Sequence, residues 1–280
     1  MKVGIVAQRD NPRAATLAGD IVERLRADDS AVVVDRETAA HLAAETDHSV
    51  PGVAIEEMAT CDLVVSIGGD GTFLFAARGA GTTPVMGINL GEVGFLNAVS
   101  PADAVSAVSD EVDTLREEGP AATRAMSRLA AGGEDWTLSP AINEIAILGP
   151  QRGHGQGLDL EVTVDGAVYT SGHADGVLVA TPTGSTAYNL SEDGPLVHPG
   201  VDGFVITEMA GEEPMPPLVI DEESTIEVTV SGANHAVVVS DGREDETVTP
   251  PATIELRRAG EPVHVAGPPL DFFAGLGKLD

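Results

Sequence analysis

The sequence predicts an α/β domain followed by an all-β domain, and three observations support this division. Apolar runs alternate with helical patterns as far as Gly119, which is typical of a parallel sheet covered on both faces. After Arg128, alternating strands follow one another with turn residues between them. A chain of 280 residues is also long for a single hydrophobic core. We therefore expect a Rossmann-like N-terminal domain over residues 1–122 and a sandwich-like C-terminal domain over 123–266, with 267–280 packing back on the first domain.

The elements of the first domain follow from their apolar patterns. Four apolar runs have the length of buried strands: KVGIVAQ, AVVVD, LVVSI and PVMGINL. Asn11-Pro12 is a helix start and predicts a helix over Arg13–Arg26. Pro101 opens a second helix, which stops at Gly119-Pro120. Ligands of such sheets bind at the carboxyl ends of the strands, so the segment 68–72, which follows LVVSI, is expected at a binding edge.

The second domain shows hairpin signals. In LDLEVTVDGAVYTSG, Asp165-Gly166 joins two alternating runs, and this dipeptide is a strong predictor of a tight hairpin turn. STIEVTVSG, HAVVVSDG and TIELRR continue the strand pattern. We interpret Asp241-Gly242 as another hairpin turn rather than as a metal site.

Composition excludes several classes of partner. Asp and Glu number 45 against 15 Lys and Arg, so the formal net charge is −30 and nucleic acid is a poor partner. The acidic residues are scattered along the chain, which suits a salty cytoplasm that screens their repulsion. No apolar run reaches the roughly 20 residues that span a bilayer, and the N-terminus has no signal-peptide pattern. The single cysteine, Cys61, is expected to be a buried apolar residue. We expect a cytoplasmic protein without a membrane partner.

The segment Gly68-Gly69-Asp70-Gly71-Thr72 is the first that indicates chemistry. Glycines allow a sharp turn and a close approach to a ligand, and successive free amides bind anions. A carboxylate beside phosphates could hold a divalent metal or accept the proton of an attacking hydroxyl. Asp70 could instead be a turn residue, and in a glycine turn Asn would be tolerated in its place. The Walker-type GxxxxGK[ST] loop is absent.

Two further segments carry polar groups at unusual density. HADGVLVATPTGSTAYNLSEDGP, residues 173–195, concentrates hydroxyl and amide groups around glycines, which would suit a base, a ribose and phosphates. In AINEIAIL, Asn143-Glu144 interrupts an apolar strand. A buried Asn-Glu pair needs partners, so it indicates either a structural network or a binding site.

In this order, GGDGT, Asn-Glu on a strand and DGxxxxTPTGSTAY resemble the NAD kinase family, as does NLGEVGFL at residues 89–96. Diacylglycerol kinases and 6-phosphofructokinases share the first loop, but diacylglycerol kinases do not share the whole combination. The resemblance implies phosphoryl transfer from ATP or polyphosphate to the 2′-hydroxyl of the adenosine ribose of NAD, with Asp70 as the general base. It also implies a site between the domains, a divalent cation (Mg²⁺ or Mn²⁺) on the donor's phosphates, and a homodimer or homotetramer. No His or Cys spacing suggests structural zinc, and we predict no metal-ligating residues. The residues that it assigns to nucleotide binding are Gly68, Gly69, Gly71, Thr72, Asn143, Glu144, Asp175, Thr183, Ser185, Thr186, Ala187, Tyr188 and Ser191.

Two alternatives stay open on the sequence alone. One is another kinase with the same loop, which acts on a lipid or a sugar. The other is a paralogue that binds NAD or NADP without turning it over. The chain also departs from the family pattern at Glu192-Asp193 and over residues 212–217.

Overall fold

The computed structural model of the chain describes residues 1–46, 49–90, 95–119, 123–151 and 157–277. Internal contacts divide the chain into two compact units, Met1–Met126 with Val263–Asp280, and Ser127–Pro262. The boundaries that we expected from the sequence were 122/123 and 266/267.

The described residues form eighteen strands and six α-helices. The strands are β1 (Lys2–Ala7), β2 (Ala31–Asp35), β3 (Gly52–Val53), β4 (Leu63–Gly68), β5 (Val85–Asn89), β6 (Arg124–Met126), β7 (Leu129–Gly132), β8 (Glu144–Leu148), β9 (Leu158–Val164), β10 (Ala167–Ala174), β11 (Gly176–Ala180), β12 (Gly203–Met209), β13 (Leu218–Asp221), β14 (Ile226–Ser231), β15 (Ala236–Ser240), β16 (Glu244–Val248), β17 (Ala252–Arg258) and β18 (Val263–Val265). The helices are α1 (Pro12–Ala27), α2 (Arg36–Glu45), α3 (Asp70–Ala80), α4 (Ala104–Glu118), α5 (Tyr188–Ser191) and α6 (Phe272–Leu276).

The first unit is built on a seven-stranded sheet in the order β3-β2-β1-β4-β5-β18-β6. All neighbouring strands are parallel except β6, which pairs antiparallel with β18. Helices α1, α2 and α4 pack their apolar residues on one face. On the other face Gly4 lies against Met58 of a short 3-10 helix, which in turn contacts α3 at Gly79. The predicted α/β class, with helices on both faces, is confirmed.

Strand order places a topological switch point at the centre of this sheet. From β1 the chain proceeds outward through β2 and β3, and then returns to the other side of β1 as β4. The connections after β1 and β4 therefore leave the sheet in opposite directions. In parallel α/β sheets the crevice between two such strands, at their carboxyl ends, is where ligands bind.

The second unit is a sandwich of two antiparallel sheets. One has the order β10-β9-β14-β17-β7 and the other β13-β12-β11-β8-β15-β16, and their inner faces share one apolar core. The predicted all-β class is therefore also confirmed. Asp165 and Gly166 both have positive φ, 50° and 79°, and form the two-residue turn between β9 and β10 as expected. Residues 241–243 likewise connect β15 to β16, which confirms a hairpin turn at Asp241-Gly242.

The sequence did not predict α2, which begins directly after β2. Asp35 ends β2 and caps α2, since its carboxylate accepts hydrogen bonds from the Glu37 amide and the Thr38 hydroxyl. Cys61 is buried, as predicted. No helix in the described ranges is long and apolar enough to cross a membrane.

Candidate active site

The glycine-rich turn lies at the carboxyl end of β4, beside the switch point. Gly68 is the last residue of β4, Gly69 caps α3, and Asp70 is the first residue of α3. A Cβ atom on Gly68 would lie 2.5 Å from the Thr72 hydroxyl oxygen and 3.0 Å from Cβ of Gln8, so a larger residue would clash at this position. A Cβ atom on Gly69 would meet nothing within 4 Å. The two glycines therefore differ: close packing requires the first and leaves open space at the second.

The Asp70 carboxylate is held by the loop that follows β5. Oδ2 accepts the Phe95 amide at 2.9 Å, whereas Oδ1 accepts the Leu96 amide at 3.1 Å and Nδ2 of Asn97 at 3.0 Å. Burial raises the pKa of Asp70 above its ordinary value, and these three hydrogen bonds lower it by less. The result is an oriented carboxylate that is easier to protonate than a surface Asp.

These contacts change what we expected of the Asp70→Asn substitution. The NH2 group of the new Asn side chain would face at least one of the three donors that now bind Asp70, namely the Phe95 amide, the Leu96 amide and Nδ2 of Asn97. A buried donor left without an acceptor lowers the free energy of unfolding by about 1–3 kcal/mol. The Asp70→Asn variant is therefore expected to lose stability as well as basicity. Sequence reasoning missed Asn97, although the NLGEVGFL resemblance indicated the loop. Residues 91–94 of that stretch lie outside the described residues.

A positively charged side chain, that of Arg9, lies at the same edge of the sheet. Arg9 follows β1, and its guanidinium carbon lies 5.9 Å from the centroid of the Phe75 ring on α3. The backbone amide of Gln8 donates to the Ile67 carbonyl near the end of β4 at 2.8 Å. Positive charge is scarce in this chain, so an Arg beside the Asp70 turn suits the binding of phosphates.

In the second unit, Asn143 and Glu144 lie where three strands of one sheet end together. Glu144 is opposite Ala180, the last residue of β11, and Ile145 is opposite Ser240, the last residue of β15. The turn Thr183–Thr186 comes so close to this point that a Cβ atom on Gly184 would lie 2.0 Å from the Asn143 carbonyl oxygen. The structure thus brings Asn143, Glu144 and the TPTGSTAY segment together.

Glu144 is buried and Asn143 is half-buried, and not all of their side-chain polar atoms are satisfied within the described residues. Glu144 is 8% exposed. Neither its Oε2 nor the Oδ1 of Asn143 has a hydrogen-bond partner among the residues that the structure describes. Burial, and then the negative charge of Asp241, raise the pKa of Glu144 to about 8. Groups of this kind cost free energy unless something else binds them, which is the expected condition of a site without its ligand.

Residues 181–191 contain both buried structural groups and more exposed ones. The Ser185 hydroxyl is fully buried and used internally, donating to the Pro182 carbonyl at 2.7 Å and accepting the Val197 amide at 3.0 Å. Thr186 donates to the Thr183 carbonyl at 3.2 Å. Buried Asn189 accepts from the Thr207 hydroxyl at 2.8 Å and anchors α5. Ser185 and Asn189 thus fix the segment, whereas Thr183, Ala187 and Tyr188 are half-buried and Ser191 is exposed.

Asp175 is the predicted residue that stands apart. It precedes β11, whereas Thr181 follows β11, so the five residues of this strand separate the two by about 20 Å. The Asp175 amide donates to the Met209 carbonyl and its carbonyl accepts from the Gly149 amide. A ligand that contacted both Asp175 and Glu144 on this chain would have to extend along the whole strand.

The described part of the chain contains no group of three or more His, Cys, Asp or Glu side chains that could hold a metal.

Sequence reasoning also missed Asp241 as part of the site, because its Asp-Gly signal was explained by the hairpin turn alone. Its carboxylate contacts the backbone of Asn143 and Glu144.

Comparison with known proteins agrees with the sequence patterns. Residues 3–113 match the ATP-NAD kinase N-terminal domain and residues 142–266 match the ATP-NAD kinase C-terminal domain. NAD kinases of Haloarcula marismortui and Halobacterium salinarum are 60% and 55% identical over 100% of this chain and 100% of theirs.

Solved structures agree in fold. The NAD kinase from Archaeoglobus fulgidus in complex with ATP is 26% identical, with a TM-score of 0.78 over 100% of this chain and 98% of that one. Yeast NADH kinase complexed with NADH has a TM-score of 0.86 at 24% identity, over 100% and 87% of the two chains. These matches argue against a lipid or sugar kinase. The chain belongs to the NAD kinase family.

Proposed function

We propose that this protein is an NAD kinase, which transfers the terminal phosphoryl group of ATP to the 2′-hydroxyl of the adenosine ribose of NAD and so forms NADP. Family membership and the full-length identity to halophilic NAD kinases support the activity. The observation on which the mechanism depends is the position of Asp70, an oriented carboxylate in a glycine turn at the sheet's binding edge.

Asp70 acts as the general base. The oxygen of the 2′-hydroxyl attacks the terminal phosphorus, the hydroxyl proton passes to the Asp70 carboxylate, and the bond from that phosphorus to the bridging oxygen breaks, which releases ADP. A hydroxyl is a weak nucleophile at neutral pH, so removal of its proton assists the step. The raised pKa of Asp70 suits this role, because a base works best when its pKa is nearer the working pH.

The donor's phosphates bind at the edge formed by Gly68, Gly69, Gly71 and Thr72, where Arg9 supplies a positive charge. We propose ATP as the donor, as in the Archaeoglobus complex, with polyphosphate as a second candidate. A divalent cation, Mg²⁺ or Mn²⁺, would arrive on these phosphates and neutralise their developing charge. Mg²⁺ usually binds through substrate phosphates and one or two carboxylates rather than in an all-protein cage, which fits the described residues.

We propose that the dinucleotide is bound by Asn143 and Glu144 together with Thr183 and the Thr186–Tyr188 segment, and that Ser185 shapes that segment from within. Ser191 and Asp175 would contact more distant parts of the dinucleotide. NADH is a second candidate substrate, because yeast NADH kinase shares the fold.

We also propose that the protein is a cytoplasmic homodimer or homotetramer that requires molar salt. The charge of −30 favours a saline cytoplasm, as do halophilic relatives. Exposed Val219 on the edge strand β13, and Met215 just before it, provide apolar surface in the second unit that a subunit contact would cover. Light scattering in molar KCl would test this, since a mass of one chain, 28.7 kDa, would contradict it.

The experiment that tests the mechanism is turnover by Asp70→Asn, measured in molar KCl across a series of Mg²⁺ concentrations, with NAD binding measured by calorimetry. Loss of a general base is expected to lower kcat by about 10²–10⁴-fold while NAD affinity changes far less. The matched control is Asp35→Asn, because Asp35 is another carboxylate with a pKa raised by burial that lies between a strand of this sheet and the helix that follows it.

The outcomes separate three roles of Asp70. A general base predicts a slow Asp70→Asn variant at every Mg²⁺ concentration and a normal kcat for folded Asp35→Asn. Recovery at high Mg²⁺ would identify Asp70 as a metal ligand instead. A decrease smaller than about tenfold would identify a turn residue, because general-base loss costs more.

A further inference from the structure

Two residues, Thr181 and Asp241, hydrogen-bond the backbone of Ile142–Glu144. The Asp241 carboxylate accepts the amides of Ile142, Asn143 and Glu144 at 3.0, 2.8 and 3.1 Å. The Asp241 amide donates back to the Glu144 carbonyl at 3.0 Å. Thr181 completes the set, since its hydroxyl donates to the Ile142 carbonyl at 2.6 Å and its amide to the Asn143 carbonyl at 2.8 Å. Every backbone polar group of the three residues therefore has a partner.

The contrast with the side chains indicates what this frame is for. Hydrogen bonds to an ionised carboxylate are about twice as strong as neutral ones, so three of them fix the segment firmly. The side-chain atoms Oδ1 of Asn143 and Oε2 of Glu144 are buried, however, and have no hydrogen-bond partner in the described ranges. A structural network would have satisfied these atoms. A rigid backbone that carries unsatisfied side chains is the arrangement of a preorganised binding site.

We propose that Asp241 is a positioning residue of the dinucleotide site, which orients Asn143 and Glu144 through their backbone amides. The Glu144 carboxyl, whose buried Oε2 has no hydrogen-bond partner in the described ranges, then donates a hydrogen bond to the dinucleotide. This inference rests on the proposed NAD-binding role of Asn143 and Glu144. Asp241 itself need not touch the ligand. Its left-handed conformation, with φ of 46°, turns the hairpin so that the carboxylate reaches the start of β8.

The donor character of Glu144 follows from its surroundings. Charged residues on the elements packed against the start of β8 are Asp241, Arg243 and Glu244, all from the β15–β16 turn and the start of β16, whereas residues 176–187 carry none. Burial and the negative Asp241 both raise the pKa of Glu144, to about 8. Below that pH the carboxyl keeps its proton and can donate to an acceptor atom of the dinucleotide. Above it, NAD affinity is expected to decrease.

The test compares Asp241→Asn and Asp241→Ala with Asp165→Asn in molar KCl. Asp165 is a matched control: it occupies another Asp-Gly hairpin turn of the same unit with φ of 50°, and its carboxylate accepts the Thr225 amide at 2.9 Å. Asn tolerates this conformation, so both Asn variants should fold. We would measure kcat, KM for NAD, and the NAD dissociation constant by calorimetry between pH 6 and pH 9, values chosen about the ionisation of Glu144.

We expect KM for NAD to rise about tenfold or more in Asp241→Asn, and further in Asp241→Ala, with a smaller change in kcat. In Asp241→Asn the pH at which NAD affinity falls should be lower than in the parent, because the negative charge that favours protonated Glu144 is gone. Asp165→Asn should match the parent in both respects.

A turn residue without a positioning role predicts that Asp241→Asn and Asp165→Asn behave alike, with NAD affinity and its pH dependence as in the parent. That result would overturn the inference and leave the proposed function intact. If the parent itself did not bind NAD by calorimetry, the proposed function would fail. If binding in the parent did not depend on pH between 6 and 9, the donor role of Glu144 would be wrong.

Discussion

Gly184→Ala tests whether the turn Thr183–Thr186 and the Asn143–Glu144 pair form one site. The added Cβ atom would lie 2.0 Å from the Asn143 carbonyl oxygen, 2.5 Å from its carbon and 2.8 Å from Cα, all of them backbone atoms. The Cβ atom and the Asn143 carbonyl oxygen would have to move apart by more than 1 Å to reach the ordinary van der Waals distance of 3.4–4 Å. The Asn143 carbonyl cannot move freely, because it accepts the Thr181 amide at 2.8 Å.

The magnitude follows from these contacts. Overpacking costs about 1–3 kcal/mol, and weakening the bond to Thr181 adds about 1 kcal/mol, so the expected loss in the free energy of unfolding is about 2–4 kcal/mol. In a protein of this size that lowers Tm by about 5–15 °C. Displacement of Asn143 by about 1 Å should also lower kcat/KM for NAD by up to about 10²-fold.

The assay is thermal unfolding in molar KCl together with NADP formation at saturating ATP. Gly260→Ala is the control, since its Cβ atom would meet nothing within 4 Å and Gly260 does not have positive φ. This control should be as stable as the parent or slightly more so. If Gly184→Ala kept the parent's Tm and kcat/KM, the close approach of the turn to Asn143 would be refuted.

Three further predictions concern the fold and its charges. Gly68→Ala should lose both stability and activity, whereas Gly69→Ala should keep its stability, and equal melting temperatures for the two variants would contradict the packing at Thr72. Between about pH 4.5 and pH 8, the folded parent keeps a proton on Glu144 that the unfolded parent releases, so the parent loses stability as pH rises and Glu144→Gln does not. The stability of Glu144→Gln relative to the parent should therefore rise by at most about 1.4 kcal/mol per pH unit. A pH-independent difference between the two proteins in urea unfolding would contradict this. Dilution from molar to millimolar KCl should lower Tm because the charge of −30 is then less screened, and a constant Tm would contradict the halophilic interpretation.

Several elements could be predicted from the sequence because their signals are local. Asn11-Pro12 marks the start of α1, and the Asn11 side chain does cap it through the Arg13 amide. The turn at Asp165-Gly166 is set by two residues that tolerate positive φ. The helix α2 was missed because β2 passes into it without a loop, and the capping contacts of Asp35 depend on the folded chain.

The site was only partly predictable for the same reason. Motif order identified Asp70 and the Asn143–Glu144 pair, since those residues form short conspicuous patterns. The groups that hold them, Asn97 and Asp241, are distant in sequence from the residues that they contact, 27 positions from Asp70 and 98 from Asn143. No local pattern carries such contacts. The hairpin turn alone explains the Asp241-Gly242 pair, so nothing in the sequence indicated a second role for the Asp241 carboxylate.

The pH dependence of kcat tests the central claim, that Asp70 removes the proton of the attacking hydroxyl, most directly. A base must be ionised, so activity should fall on the acid side, with an apparent pKa above the ordinary Asp value of 3.8, because burial outweighs the hydrogen bonds from residues 95–97. The residual activity of Asp70→Asn should lack this acid limb. An Asp70→Asn variant that kept the same limb at nearly the parent's rate would contradict the account.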